Sequence, residues 1–410
     1  MLLNRIWIGM FLIGGIVGFC KLIFWQDAGI LAEIVDGMFE TAKLGFEISL
    51  YMTALICLWL GIMKIGENGG AIRALTKLVS PLFSKIFPEV PKDHPANGAM
   101  MMNISANMLG LDNAATPLGL KAMKELQTLN PDKETATNAQ IMFLVLNTSG
   151  LTIIPVSIFA VLSSQGVSSP TSVFLPILIA TYFASLAGLI IVSIRQKINL
   201  FHPTVLAYLG VLTFFVAGLL IYISNNPSHT ETISKVGGNA IILLVILSFL
   251  ILGIRKKVNV YESFIDGAKE GFGVAIMIIP YLIAMLCAIS VLRTSGSLDV
   301  VLDGLRWCAG FVGVHQTEWI DAMPVAFMKP LSGSGARAAM VEVINEHGFN
   351  SMVSKIAITM QGSTETTLYV LAVYFGSVGI KNTRYAAAAG LLCDLVGIIV
   401  AIIVSYIFFA

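Results

Sequence analysis

Residues 360–370 read Met-Gln-Gly-Ser-Thr-Glu-Thr-Thr-Leu-Tyr-Val, placing an amide, a carboxylate and four Ser/Thr hydroxyls inside a run that is apolar from Ile356 to Phe375. Amides and hydroxyls hydrogen-bond neutral polar solutes, and a carboxylate adds an acceptor for a hydroxyl or amine, or a carrier for a proton. In a membrane such a carboxylate costs roughly 2.5–3.5 kcal/mol. A single Ser or Thr here could simply bond its own helix backbone. Gln361, Ser363, Thr364, Glu365 and Thr366 together read better as a solute site.

Three other clusters have the same character. Asn147, Thr148 and Ser149 precede Gly150 in an apolar run. Asn103, Ser105, Asn107, Asp112, Asn113 and Thr116 crowd together before Pro117. Ser332, Ser334 and Arg337 lie in Ser-Gly-Ser-Gly-Ala-Arg, small enough for backbone to approach a ligand closely. Half-helices starting at such tips would aim N–H groups at anionic or acceptor atoms. Helix capping is the competing reading for the Asn-rich tip, and an interfacial anchor is the competing reading for Arg337 and Asp112.

The elements that position these groups follow from composition. The 410 residues are 56% hydrophobic and 12% charged, with mean hydropathy +0.85, whereas a soluble domain is about 25% charged. Apolar runs of bilayer-spanning length recur throughout, so the chain reads as an all-α polytopic membrane protein. Nine segments look able to cross: 6–25, 44–63, 139–162, 172–194, 204–223, 239–254, 272–292, 354–378 and 386–408. Residues 99–118 and 322–340 are too short and polar to span, and each reads as a re-entrant helical hairpin. The basic loops at Arg195–Lys197, Arg255–Lys257 and Lys381–Arg384 predict a cytoplasmic N-terminus and an outside C-terminus. Lys21 and the lack of a small-residue cleavage site predict a retained first span.

A net charge of +1 argues against nucleic acid. Five dispersed cysteines and five scattered histidines suggest neither a metal site nor a disulfide framework. No nucleophile–base pair or cofactor loop is visible, so no enzyme and no cofactor is expected beyond a coupling ion, H+ or Na+.

The chain also repeats itself. Asp36-Gly37 and Asp266-Gly267 each precede an apolar span, an amphipathic stretch, a polar-tipped hairpin, an interrupted span and a plain span. The plain spans match locally, Leu186–Val192 against Leu395–Ala401. Three crossings per unit predict an inverted repeat, with the site where the breaks meet.

These same residues carry a family resemblance. The stretch from Asn103 to Met123 resembles the signature of spore maturation protein A, and Met360–Lys381 with Ser332–Arg337 resembles spore maturation protein B. The similarity covers nearly the whole chain, as in a fusion: 1–200 similar to the first, 201–255 linking helices, 256–410 similar to the second. The resemblance implies membership of the nucleoside-recognition (Gate) group, which is similar to gating parts of concentrative nucleoside transporters and bacterial ferrous-iron transporters. An Asn-Glu-Phe type motif and a P-loop are both missing, so neither group's ligand residues carry over. By resemblance the chain is expected to be a permease of the bacterial inner membrane, with the bilayer and a small polar solute, nominally a nucleoside, as partners. A zwitterion such as an amino acid or dipeptide, held by Glu365 and Arg337, is a second expectation. A non-transporting scaffold in envelope or spore maturation is a third, and homo-oligomerisation stays open.

Overall fold

A computed structural model describes residues 2–110, 112–167, 169–226, 230–311, 313 and 316–409; side chains at 2–3, 112–114, 224, 231 and 274–275 lie outside the described set. No strand occurs among the described residues, and one isolated bridge pairs Thr135 with Asn382. The helices in chain order are α1 (Leu2–Phe24), α2 (Ile30–Gly69), α3 (Ala71–Ile86), α4 (Pro95–Met108), α5 (Asp112–Thr128), α6 (Asn138–Thr148), α7 (Val156–Ser164), α8 (Phe174–Gln196) and α9 (Pro203–Asn225). They continue as α10 (Thr230–Arg255), α11 (Val260–Thr294), α12 (Ser297–Phe311), α13 (Glu318–Asp321), α14 (Met323–Met328), α15 (Gly333–His347), α16 (Met352–Ser363), α17 (Thr367–Gly376) and α18 (Ala386–Phe409).

Among the described residues seven helices are long and apolar enough to cross a membrane: α1, α2, α8 with its leading 3-10 turn, α9, α10, α11 and α18. The protein is therefore an all-helical, multi-pass membrane protein. The other two predicted spans are not continuous helices. Segment 139–162 is divided between α6 and α7, and segment 354–378 between α16 and α17.

Several predicted boundaries fall short. The span expected at 44–63 is the inner part of α2, and that expected at 239–254 extends back to Thr230. Hydropathy registers only the apolar window, while the polar turns beyond it keep their helical bonding. At 1.5 Å per residue α2 is about 60 Å long, twice the thickness of a hydrocarbon core.

The helix starts are fixed locally. Thr137 and Gln140 form a reciprocal cap on α6, Ser351 caps α16 through the Ser354 N–H, and Asn259 caps α11 through Glu262. In α3 the buried Ile72, Val79, Phe83 and Ile86 share one face while Arg73 and Lys77 are exposed, the pattern of a helix resting on an apolar surface.

The two longest helices, α2 and α11, pack antiparallel along their length. Thr41 Oγ1 lies 3.1 Å from Ser290 Oγ at one end. At the other, Asn68 Nδ2 donates to Ser263 Oγ at 3.0 Å and Lys64 pairs with Glu270 at 3.1 Å. Gly37 faces Thr294, and Gly267 faces Lys64 and the Leu60 carbonyl. With the two Asp-Gly pairs aligned, the second contact is the first with its partners exchanged. Pro280 lies within α11, whereas α2 contains no proline.

A Cβ on Gly267 would sit 2.2 Å from the Leu60 carbonyl oxygen, whereas Gly273 on the same helix has nothing within 4 Å. Gly267→Ala is expected to destabilise the protein by about 1–3 kcal/mol through overpacking. Gly273→Ala should be neutral or stabilising by up to ~1 kcal/mol. Thermal unfolding of both variants in detergent checks the pair.

Candidate functional site

The helix breaks have separate local causes. Past Thr148 the chain reaches Gly150 at φ +57° and does not become helical again until Val156, after Pro155. Past Ser363 the backbone turns extended at Thr364, and α17 starts at Thr367. Each break leaves helix-end carbonyls and N–H groups without an intrahelical partner. The two breaks satisfy one another in part, because the Glu365 N–H donates to the Thr148 carbonyl at 2.8 Å. Gly150 makes the approach possible: a Cβ there would lie 2.9 Å from Glu365 Cγ and 3.0 Å from its nitrogen.

Each polar tip is tied to one break. The Ile153 N–H donates to the Met108 carbonyl at the end of α4, at 2.8 Å. The Leu368 N–H donates to the Pro330 carbonyl at 2.9 Å, and Thr366 Oγ1 lies where a Gly333 side chain would otherwise go. Ser332 caps α15 by accepting from the Gly335 N–H at 3.0 Å, with Ser334 Oγ 3.1 Å from Ser332 Oγ.

Around this crossing the predicted residues fall into distinct groups. A cavity of about 80 Å³ is lined by Gly110, Thr152, Lys329, Gly333, Arg337, Gln361, Thr364 and Glu365, among others. It brings together parts of both breaks and both tips. Beside it lies a buried amide–phenol cluster. Asn107 Nδ2 donates to Asn147 Oδ1 at 2.7 Å. The Tyr374 hydroxyl lies 3.4 Å from that same oxygen and 3.3 Å from Asn103 Nδ2. Asn103 Nδ2 also reaches the Ala115 carbonyl at 2.7 Å, and Phe143 stacks on Tyr374.

Other predicted residues are held elsewhere. Ser105 turns toward α3, its Oγ 3.4 Å from Thr76 Oγ1, and joins neither group. Thr148, Ser149 and Ser363 spend their hydroxyls on carbonyls of their own helices, the i−3 bonding common to helical hydroxyls. Thr116 is half-buried, and Thr366 is buried beside Gly333. The side chains of Asp112 and Asn113 lie outside the described residues.

The structure also gathers residues that the sequence pattern did not single out. Lys329 is buried, and its Nζ donates to the Gln361 carbonyl at 2.5 Å. Tyr374 joins the amides from α17. Asp394, in α18, is only 1% exposed. A lone carboxylate within a span is itself a functional signal, and it was legible in Leu-Leu-Cys-Asp-Leu. Its helix presents Gly390, Asp394 and Gly397 on one face. A Cβ on Gly390 would sit 2.6 Å from Thr367 Cγ2, and one on Gly397 2.8 Å from Thr364 Cγ2. In the first half α8 does the same service: Thr181 Oγ1 donates to the Gly150 carbonyl at 2.6 Å, and Ser185 Oγ to the Ser149 carbonyl at 3.4 Å.

Fold and site together define a polytopic membrane protein with two discontinuous helical segments crossing at a polar centre. The family profile for nucleoside recognition, Gate, matches residues 49–165 and 275–381, and the chain belongs to that family. Each match opens inside a long helix, α2 or α11, and closes just after a broken pair. The chain is 44% identical over 170 residues to spore maturation protein B of Bacillus subtilis (strain 168), across 42% of this chain and 93% of that protein. It is 36% identical over 190 residues to spore maturation protein A of the same organism, across 46% of this chain and 93% of that protein.

Gly150 and Gly166 both have positive φ, but only Gly150 is crowded. Gly166→Ala is expected to cost about 1–2 kcal/mol from left-handed strain. Gly150→Ala should cost that plus about 1–3 kcal/mol of overpacking against Glu365. Comparing the two melting curves isolates the contribution of the crossing.

Proposed function

We propose that this protein is a membrane carrier for a small polar solute, bound where the two broken segments cross. The observation that carries the reading is the shared cavity: both breaks and both tips contribute to it, with Lys329, Arg337 and Glu365 among its walls. Polar groups held in this way are costly in a bilayer and are retained for function more readily than for stability. Glu365 accepts a solute hydroxyl or amine, Arg337 and Lys329 face its anionic or acceptor atoms, and Gln361 and Thr364 set orientation.

The architecture behind this reading is an inverted repeat. Each unit runs as a long helix, an amphipathic helix, a hairpin, a broken pair and a full helix, and the exchanged contacts between α2 and α11 support a two-fold relation. In this arrangement α6–α7 and α16–α17 are interrupted crossings, and α4–α5 and α14–α15 are re-entrant hairpins. The chain is a fusion, 1–200 and 256–410, joined by the helices of 201–255. The protein sits in the bacterial inner membrane with its N-terminus inside. Reporter fusions after Ala410 should then give signal from a periplasm-dependent enzyme. Signal from a cytoplasmic reporter instead would overturn the orientation.

The family description makes a nucleoside the nominal solute. A second reading, a zwitterion such as an amino acid or dipeptide, is favoured by Glu365 and Arg337 lining one cavity. The cavity of about 80 Å³ would have to widen for either solute. The names of the relatives are equally compatible with a scaffold in spore maturation, which would bind no solute.

A thermal-shift screen of the purified protein against nucleosides, amino acids and dipeptides separates these readings, because a ligand of the folded state raises Tm by mass action. Glu365→Gln should unfold at the wild-type temperature without ligand and lose the ligand-induced shift. No response to any class would favour the scaffold. A full response in Glu365→Gln would remove that residue from the site.

A further inference from the structure

Asp394 takes no part in the solute cavity, and its surroundings differ from the matching place in the other half. At the first break four hydroxyls are spent on backbone carbonyls: Thr148 on Val145, Ser149 on Leu146, Thr181 on Gly150 and Ser185 on Ser149. At the second break Thr364 Oγ1, Thr367 Oγ1 and both Asp394 carboxylate oxygens are buried without a hydrogen-bond partner. The two threonine hydroxyls face the carboxylate, yet neither completes hydrogen-bond geometry with it. Gly390 and Gly397 press α18 onto the methyl groups of the same threonines, which fixes the oxygens around Asp394.

We propose that Asp394, Thr364 and Thr367 form a sodium site behind the second helix break. A buried carboxylate is costly unless its charge is paired, and the two hydroxyls that could donate to this one do not meet it with hydrogen-bond geometry. A small hard cation takes all four as ligands, since carboxylate and hydroxyl oxygens are its natural donors. The site's single carboxylate matches a monovalent ion. Two further charges act on it: Glu365 on the break and Lys329 at the end of α14. The Lys329 ammonium is held by the Gln361 carbonyl and offsets Glu365. Thr364 belongs to both places, lining the solute cavity and facing Asp394, so an ion bound to its hydroxyl fixes the break that the solute contacts. The inference deepens the carrier reading, but sodium binding is measurable with no solute present.

The experiment is a thermal-unfolding titration of the purified protein with NaCl, KCl and choline chloride at matched ionic strength and constant pH. Sodium should raise Tm in a saturable way, with KCl and choline chloride giving only the common salt effect. Asp394→Asn should lose the sodium-specific part. Thr367→Val, close in shape, should require a several-fold higher sodium concentration, and it decides the matter if Asp394→Asn does not fold. Glu365→Gln removes a nearby negative charge, so it should retain a saturable sodium response displaced to higher sodium concentration while losing the solute-induced shift, which keeps loss of solute binding and loss of sodium binding separable. Equal shifts from all three salts would overturn the site. So would a sodium response unchanged in Thr367→Val or Asp394→Asn, or a Tm that follows pH and ignores sodium.

Discussion

One backbone hydrogen bond, from the Glu365 N–H to the Thr148 carbonyl, holds the centre of this protein together. A helix that crosses lipid satisfies its own backbone, and one that stops midway does not. Two stopped helices set against each other can satisfy part of what each lacks. That requires close backbone approach, hence Gly150 against Glu365. It also requires further donors for the remaining carbonyls, which Thr181, Ser185 and Lys329 supply. The tips then fasten to the outer sides of the breaks through Ile153–Met108 and Leu368–Pro330. Remove the crossing and each half has orphaned polar groups at roughly 1–3 kcal/mol apiece.

The same constraint explains why polarity concentrates here. Once the backbone is open, side-chain amides and hydroxyls cost little extra, because they bond the exposed backbone groups and one another. Asn147 shows this: its amide donates to the Phe143 carbonyl of its own helix while its oxygen receives Asn107. A network of this kind is stiff, since each member fixes the rotamer of the next.

Much of the arrangement was legible in the sequence. Gly-Ser-Thr-Glu and Asn-Thr-Ser-Gly inside apolar runs announced both breaks, and the Asn-rich and Gly-Ser stretches fall at short helices, α4–α5 and α14–α15. Side-chain direction was not legible. Ser105 is two residues from both Asn103 and Asn107, yet it faces α3, because residues two apart on a helix point to different sides. Asp394 leaves little trace in the hydropathy pattern, because one carboxylate barely alters the mean over a 24-residue helix. Its importance comes from α18 lying against the second break, a contact between segments that no local pattern encodes. The polar first turns of α2 were invisible to hydropathy for the opposite reason: Glu33, Asp36 and Glu40 lie in helix that continues beyond the apolar window.

The two long helices are paired along their length but are not equally stiff. Pro280 offers no N–H to the carbonyl four residues before it, so α11 has a joint partway along where α2 has continuous bonding. Sheltered against an unbroken strut, that joint divides α11 into a segment carrying α12 and a segment leading from α10. The molecule thus has a fixed rail and a jointed one. The joint lies in the same C-terminal stretch of the chain, Val260–Phe409, that also carries Glu365 and Asp394.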